Sequence, residues 1–230
     1  MTDFSELRES MVVNQVAARG VRSENVLNAM REVPRELFVP NKLAEFAYDD
    51  SPLRIEAGQT ISQPYIVALM TEALGLRGGE KVLEIGAGSG YAAAVLSEIA
   101  GEVYTIETIE ELAKSAASIL AKLGYDNVQV LHGDGTLGWQ EHAPYDGIVV
   151  TAGGPEVPES LKQQLKIGGR MIIPIGKHKH FQELIRVTRI SETRFQSEDL
   201  ADVRFVPLIG AQGWPTQIDG GGAQFSGNGP

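Results

Sequence analysis

The spacing of apolar residues changes once along the chain, near residue 80. Upstream, Leu7, Met11, Val12 and Val16 recur at three-and-four spacing, and Val26, Leu27 and Met30 follow a Ser23 suited to cap a helix. Two helices are expected there, ended by Pro34 and Pro40. A third begins at Gln63-Pro64, where proline fits a first turn, and runs through Ile66, Val67, Leu69, Met70 and Leu74 to Gly75. Together they are expected to form a layer over a sheet.

From Lys81 short apolar runs alternate with helical stretches, the rhythm of βαβ units and a parallel sheet. The pattern predicts strands at 82–85, 102–106, 128–131, 145–151 and 170–175, with helices at about 90–100, 108–123 and 158–166, the last closed by Gly168-Gly169. Beyond Gly176 it predicts a hairpin of 184–190 with 193–196, then a strand at 203–206. The expected fold is α/β: a doubly wound, mostly parallel sheet with antiparallel C-terminal strands and extra N-terminal helices. One domain is expected over 1–213, divided into a helical layer with an active-site segment (1–75), a cofactor-binding core (76–176) and C-terminal strands (177–213). Seven of the 21 residues from Gly210 to Pro230 are glycine, so 214–230 is expected to be a flexible tail.

Composition narrows the chemistry. A hydrophobic share of 43% in 230 residues supports a real core, and the absence of cysteine removes disulfides, thiolate zinc sites and cysteine nucleophiles. A net charge of -10 disfavours a nucleic-acid partner, and no basic patch offsets it. The start, Met1-Thr2-Asp3-Phe4-Ser5-Glu6, lacks the basic and apolar regions of a signal peptide, and no apolar run reaches the roughly 18 residues of a membrane span. A cytoplasmic location is the expectation.

The informative segment is Val82-Leu83-Glu84-Ile85-Gly86-Ala87-Gly88-Ser89-Gly90-Tyr91, a strand running into a glycine loop that opens a helix. Backbone can approach a ligand closely there, at the carboxyl edge of the sheet. A dinucleotide fingerprint would place its third glycine at position 91, where Tyr stands. Glu107, ending the second strand, is placed to accept the hydroxyls of a ribose, and Asp134-Gly135, after the third, to meet an adenine amino group. Glu84 is either a ligand anchor or a cap for the loop amides, and the loop alone is also consistent with a structural turn.

The order of these motifs resembles that of the class I S-adenosylmethionine-dependent methyltransferases. A narrower resemblance comes from Val33-Pro34-Arg35-Glu36-Leu37-Phe38-Val39, from Gly58-Gln59-Thr60-Ile61-Ser62-Gln63-Pro64-Tyr65 and from Arg204-Phe205-Val206-Pro207-Leu208. These are similar to signatures of the protein-L-isoaspartate O-methyltransferase family, over about residues 10–213. The resemblance implies Ser62 as the active-site residue, with Gln63, Pro64, Val206 and Pro207 beside the substrate. Thr60, Ile61, Glu84, Gly86, Ala87, Gly88, Ser89, Glu107, Asp134 and Gly135 would hold S-adenosyl-L-methionine, released as S-adenosyl-L-homocysteine, with no metal. It implies isoaspartyl-containing proteins and peptides as partners, no nucleic acid, no membrane, and a monomer.

Other readings remain open on the residues alone. Ser62 suits an N-cap for the helix at Pro64, His178-Lys179-His180 reads as a solvated turn more than a metal pair, and a small-molecule methyltransferase or a non-catalytic nucleotide-binding module would also keep the glycine loop. No Asn/Asp-Pro-Pro-aromatic motif follows the fourth strand, where Thr151-Ala152-Gly153-Gly154-Pro155 stands.

Overall fold

The change of period marks the boundary between two layers in the computed structural model, which describes residues 3–179 and 181–215. Upstream lie α1 (Phe4–Met11), α2 (Glu24–Glu32) and α3 (Pro64–Leu74), whose apolar faces bury Met11, Val26, Met30, Val67 and Met70. Ser23 precedes α2, but its hydroxyl does not cap it. The Glu72 carboxylate, from α3, accepts the N–H groups of Arg22 and Ser23 at 2.6 Å each, satisfying one of them at the open helix end and tying the two helices together. A two-residue antiparallel ladder, β1 (Leu53–Arg54) with β2 (Thr60–Ile61), leads into α3.

Downstream, β3 (Lys81–Ile85), β4 (Glu102–Glu107), β5 (Val128–His132), β6 (Tyr145–Val150), β7 (Leu165–His178), β8 (Phe181–Arg189) and β9 (Phe195–Val203) form one sheet in the order β5-β4-β3-β6-β7-β8-β9. The first five strands run parallel, while β8 is antiparallel to both its neighbours. Helices α4 (Tyr91–Ser97), α5 (Glu110–Leu123) and α6 (Glu159–Gln164) supply crossovers. Alternation along the strands divides the core: Val82, Val103, Val149 and Ile172 pack with the N-terminal helices and α4, whereas Leu83, Tyr104, Ile148 and Met171 pack on the other face. Each such side chain stabilises the fold by about 1.5–3 kcal/mol through burial alone.

The C-terminal third departs from expectation. Helix α6 stops at Gln164 and Leu165 already pairs with Tyr145, so Gly168-Gly169 lies inside β7 and caps nothing. A bulge between Tyr145 and Gly147 brings strands so close that a Cβ on Gly169 would stand 2.9 Å from the Asp146 carbonyl, which is why glycine occupies the position. The expected hairpin is the pair β8 and β9, but both strands are longer than its polar sequence suggested. No strand covers 203–206: β9 ends at Val203, and the chain turns so that Val206 accepts from Gly153 N–H at 2.8 Å and Leu208 donates to the Gly153 carbonyl at 2.9 Å.

Trp214, assigned by composition to the tail, is instead tied to the domain, its indole N–H donating to the Gly153 carbonyl at 2.9 Å. Of the tail expected over 214–230, residues 216–230 lie outside the described residues. Among the described residues, no helix is long and apolar enough to cross a membrane.

Candidate active site

The chain leaves β3 toward β4 and β5 on one side and returns to β6 on the other, so the carboxyl ends of β3 and β6 diverge at the point where open α/β sheets bind ligands. The glycine loop leaves β3 here. Gly86 has φ of 98°, and a Cβ on it would collide with the hydroxyl of Thr151, which donates to the carbonyls of Ile85 at 3.0 Å and Gly86 at 2.8 Å. Thr151, at the end of β6, thus stitches the loop to the neighbouring strand. From β4, the buried Glu107 carboxylate accepts the Gly88 N–H at 2.8 Å and the Ile109 N–H at 3.0 Å, so it braces the loop as well as facing the same sheet edge.

Asp134 sits after β5. One of its oxygens accepts from Thr136 N–H at 2.9 Å and from the Thr136 hydroxyl at 2.6 Å, and the other accepts the Ala211 N–H at 2.7 Å. Gln212 donates its N–H to the Thr136 hydroxyl oxygen at 3.0 Å and bonds Ser160 with its side chain. The loop 208–214 is therefore docked on the Asp134-Gly135 turn, and Gly135 itself is buried against Ile85.

Two hollows meet at this edge. A narrow cavity of about 50 Å³ runs along the glycine loop, lined by Thr60, Ile61, Ser62, Gly86, Ala87, Gly88, Ser89 and Thr151 among others. A wide cleft of about 940 Å³ opens beside it, lined by Ser62, Gln63, Lys177, Gln182, Arg204 and Val206 among others. Thr60, Ser62 and Thr151 line both.

Ser62 bridges β2 and α3. The cap position of α3 belongs to Gln63, and the Ser62 hydroxyl makes no hydrogen bond among the described residues, so the capping reading does not hold. Its carbonyl is held by Arg35, whose guanidinium donates to it at 2.8 Å.

Six expected site residues line neither hollow: Glu107, Asp134 and Gly135, whose places at the sheet edge are given above, and Pro64, Pro207 and Glu84. Pro64 is buried in the first turn of α3, and Pro207 bridges Gly153 through its backbone. Glu84 points into the layer beneath the sheet, wholly buried, with one oxygen accepting the Thr105 hydroxyl at 2.6 Å and the other without a partner. Arg35, Thr151 and Ala211 are functional candidates that the motifs did not single out. Among the described residues no cluster of three His, Cys, Asp or Glu side chains offers a metal site, and His180 of the His-Lys-His run lies outside them.

Burial, reinforced by the charge of Glu107, pushes the Glu84 carboxyl up to about 8 against the pull of the Thr105 hydroxyl. The folded state therefore holds a proton between the ordinary carboxyl range and pH 8 that the unfolded chain has released, so stability falls as pH rises through this window. Ligand-free protein is expected to lose roughly 1 kcal/mol per pH unit there from this group. Glu84→Gln, which keeps the shape without the proton, is expected to flatten the slope. Thermal melts from pH 5 to 8 that show the same slope in both proteins would assign the proton elsewhere.

Fold and site together define a class I, S-adenosylmethionine-dependent methyltransferase, with a glycine loop under a parallel sheet edge, a carboxylate on the next strand and a second carboxylate after the third. The residues fit that cofactor at the loop, where backbone is bare and a side chain on Gly86 is sterically excluded. The family model for Protein-L-isoaspartate(D-aspartate) O-methyltransferase matches residues 7–213, and the chain belongs to this family. A Protein-L-isoaspartate O-methyltransferase 1 of Rhodopseudomonas palustris (strain HaA2) is 63% identical over 213 residues, covering 93% of this chain and 87% of the relative. A Protein-L-isoaspartate O-methyltransferase 2 of Pelobacter propionicus is 60% identical over 207 residues, covering 90% and 92%. A solved protein-L-isoaspartate O-methyltransferase superposes with a TM-score of 0.81 at 35% identity, over 90% of this chain and 67% of that one. A Plasmodium falciparum structure assigned to the same activity, in complex with S-adenosyl-L-homocysteine, gives 0.75 at 26% identity over 88% and 98%.

Proposed function

We propose that this protein methylates the free α-carboxylate of L-isoaspartyl residues in damaged proteins and peptides. The observation that carries this reading is the position of Ser62 on both the glycine-loop cavity and the open cleft, where a peptide in the cleft and a methyl donor on the loop would meet. S-adenosylmethionine supplies a methyl group on a sulfonium: a carboxylate oxygen forms the C–O bond as the S–C bond breaks, the electron pair stays on sulfur, and no proton moves.

The protein's own task is orientation and exclusion of water. Glu107 is assigned to the ribose hydroxyls and Asp134-Gly135 to the adenine edge, with the loop 86–89, Thr60 and Ile61 shaping the cavity between them. Ser62, free of other hydrogen bonds, is assigned to donate its hydroxyl to the acceptor carboxylate, while Gln63 and Val206 bound the cleft that receives the peptide. The resulting ester is a better leaving group than a carboxylate, so the neighbouring backbone nitrogen closes a succinimide that hydrolyses in part to normal aspartate. A net charge of -10 disfavours a nucleic-acid partner, and we take the protein to be cytoplasmic and to act as a monomer.

An isoaspartyl peptide, its normal aspartyl twin and labelled cofactor test the reading. Label released as methanol by alkali from the first peptide alone is expected, and equal labelling of both would refute it. An α-carboxylate ionises near pH 3.5, so turnover is expected to be flat across roughly pH 6–8. A single-proton rise near pH 6.5 in a protein that stays folded would reveal a base that this reading lacks.

A further inference from the structure

Arg35 is fully buried, and its guanidinium is shared among three elements. Nε donates to the Ala47 carbonyl at 2.7 Å, Nη2 donates to the Ser62 carbonyl at 2.8 Å, and the guanidinium carbon stands 4.7 Å from the centre of the Tyr91 ring, at the start of the helix that follows the glycine loop. Nη1 is buried without a hydrogen-bond partner. Among the described residues no carboxylate forms an ion pair with it, and the adjacent Glu36 is engaged by Arg8 and Tyr48.

A guanidinium keeps its charge in a protein, and a buried charge lacking a counter-ion is costly. Carbonyl dipoles and a ring face offset only part of that cost. The uncompensated charge is hydrogen-bonded to the backbone of Ser62, a residue that lines the cleft where an anion is expected to bind.

Building on the assignment of Ser62 above, we infer that Arg35 is a positioning and specificity-determining residue: it fixes the Ser62 segment and sets a buried positive charge behind the cleft wall, so that the site prefers an anionic acceptor to a neutral one. The consequence follows the reaction. The acceptor arrives as a carboxylate and leaves as an uncharged ester, so the attraction that holds it vanishes with the transfer and the product is released.

The test uses the full chain loaded with S-adenosyl-L-homocysteine, titrated by calorimetry with an isoaspartyl peptide and with its α-methyl ester. Wild-type protein is expected to bind the acid about tenfold or more tightly than the ester. Arg35→Met is expected to weaken the acid about tenfold while moving the ester less than threefold. Arg35→Lys, which restores the charge without the paired hydrogen bonds, is expected to recover most of the preference. Acid and ester weakened equally in Arg35→Met, or a lysine variant as indifferent as the methionine one, would reduce Arg35 to a structural strut and overturn the proposal. Should Arg35→Met not fold, wild-type protein still decides: equal affinity for acid and ester overturns the proposal with no variant at all. A wild-type protein that binds neither peptide would bring down the reading of the cleft itself, a different failure.

Discussion

Ser62→Ala is expected to lower kcat/KM for an isoaspartyl peptide by about tenfold to a hundredfold while leaving S-adenosyl-L-homocysteine affinity within about twofold. The magnitude is that of one hydrogen bond to a charged group, roughly 1.5–3 kcal/mol. The change should cost little stability, because the hydroxyl bonds nothing among the described residues and α3 takes its cap position from Gln63. What the variant loses is one of three side-chain hydroxyls, with those of Thr60 and Thr151, that line both cavity and cleft among the described residues. Steady-state kinetics on the isoaspartyl peptide, with calorimetry on the cofactor product, separate the two effects. Wild-type turnover by folded Ser62→Ala protein would remove Ser62 from the reaction.

Glu107→Ala is expected to act on the other partner. It removes the carboxylate assigned to the ribose, and it also frees the N–H groups of Gly88 and Ile109 that the carboxylate accepts at 2.8 and 3.0 Å. Charge-assisted hydrogen bonds are each worth roughly 1.5–3 kcal/mol, so the affinity for S-adenosyl-L-homocysteine should fall at least tenfold, and about a hundredfold if two bonds are lost. Because Glu107 is nearly inaccessible, circular dichroism must first show that the variant is folded. Unchanged affinity in a folded variant would show that the ribose lies elsewhere.

The strands β3, β4 and β6 were legible because they are buried on both faces and read as short apolar runs, and the edge strand β5 still shows itself through Val128, Val130 and Leu131. β9 was half hidden for the opposite reason. It is an edge strand whose Gln196, Ser197, Glu198 and Asp199 face solvent, a charged rim that protects an edge while erasing the alternation a reader looks for. β1 and β2 have two residues each, too few to show any period. Gly168-Gly169 looked like a helix end because glycine serves both a helix terminus and a close approach of strands, and only the partner strand distinguishes them.

The same contrast divides the site. The glycine loop, Glu107 and Ser62 belong to short local motifs, so their residue types announce them. Arg35 reaches Ser62 across 27 positions and Ala211 reaches Asp134 across 77, and Ala211 contributes only a backbone N–H, which leaves no trace in residue type. Glu84 misled differently. Its place in the motif suggests a ligand, but an inward-facing position in a strand sends the carboxylate into the core, where Thr105 on β4 meets it.

The docking of Leu208 to Trp214 onto Asp134, Thr136 and Gly153 gives the end of the described chain a place in the architecture of the loop after β5. Two stretches some 75 residues apart in sequence behave as one hydrogen-bonded body, and the later one supplies a donor to a carboxylate that the earlier one alone leaves with an open lone pair. An engineer shortening this polypeptide would therefore meet a firm limit after Trp214: a cut only a few residues earlier removes no residue of the glycine loop, yet it unbraces the acid on the opposite shoulder of the sheet.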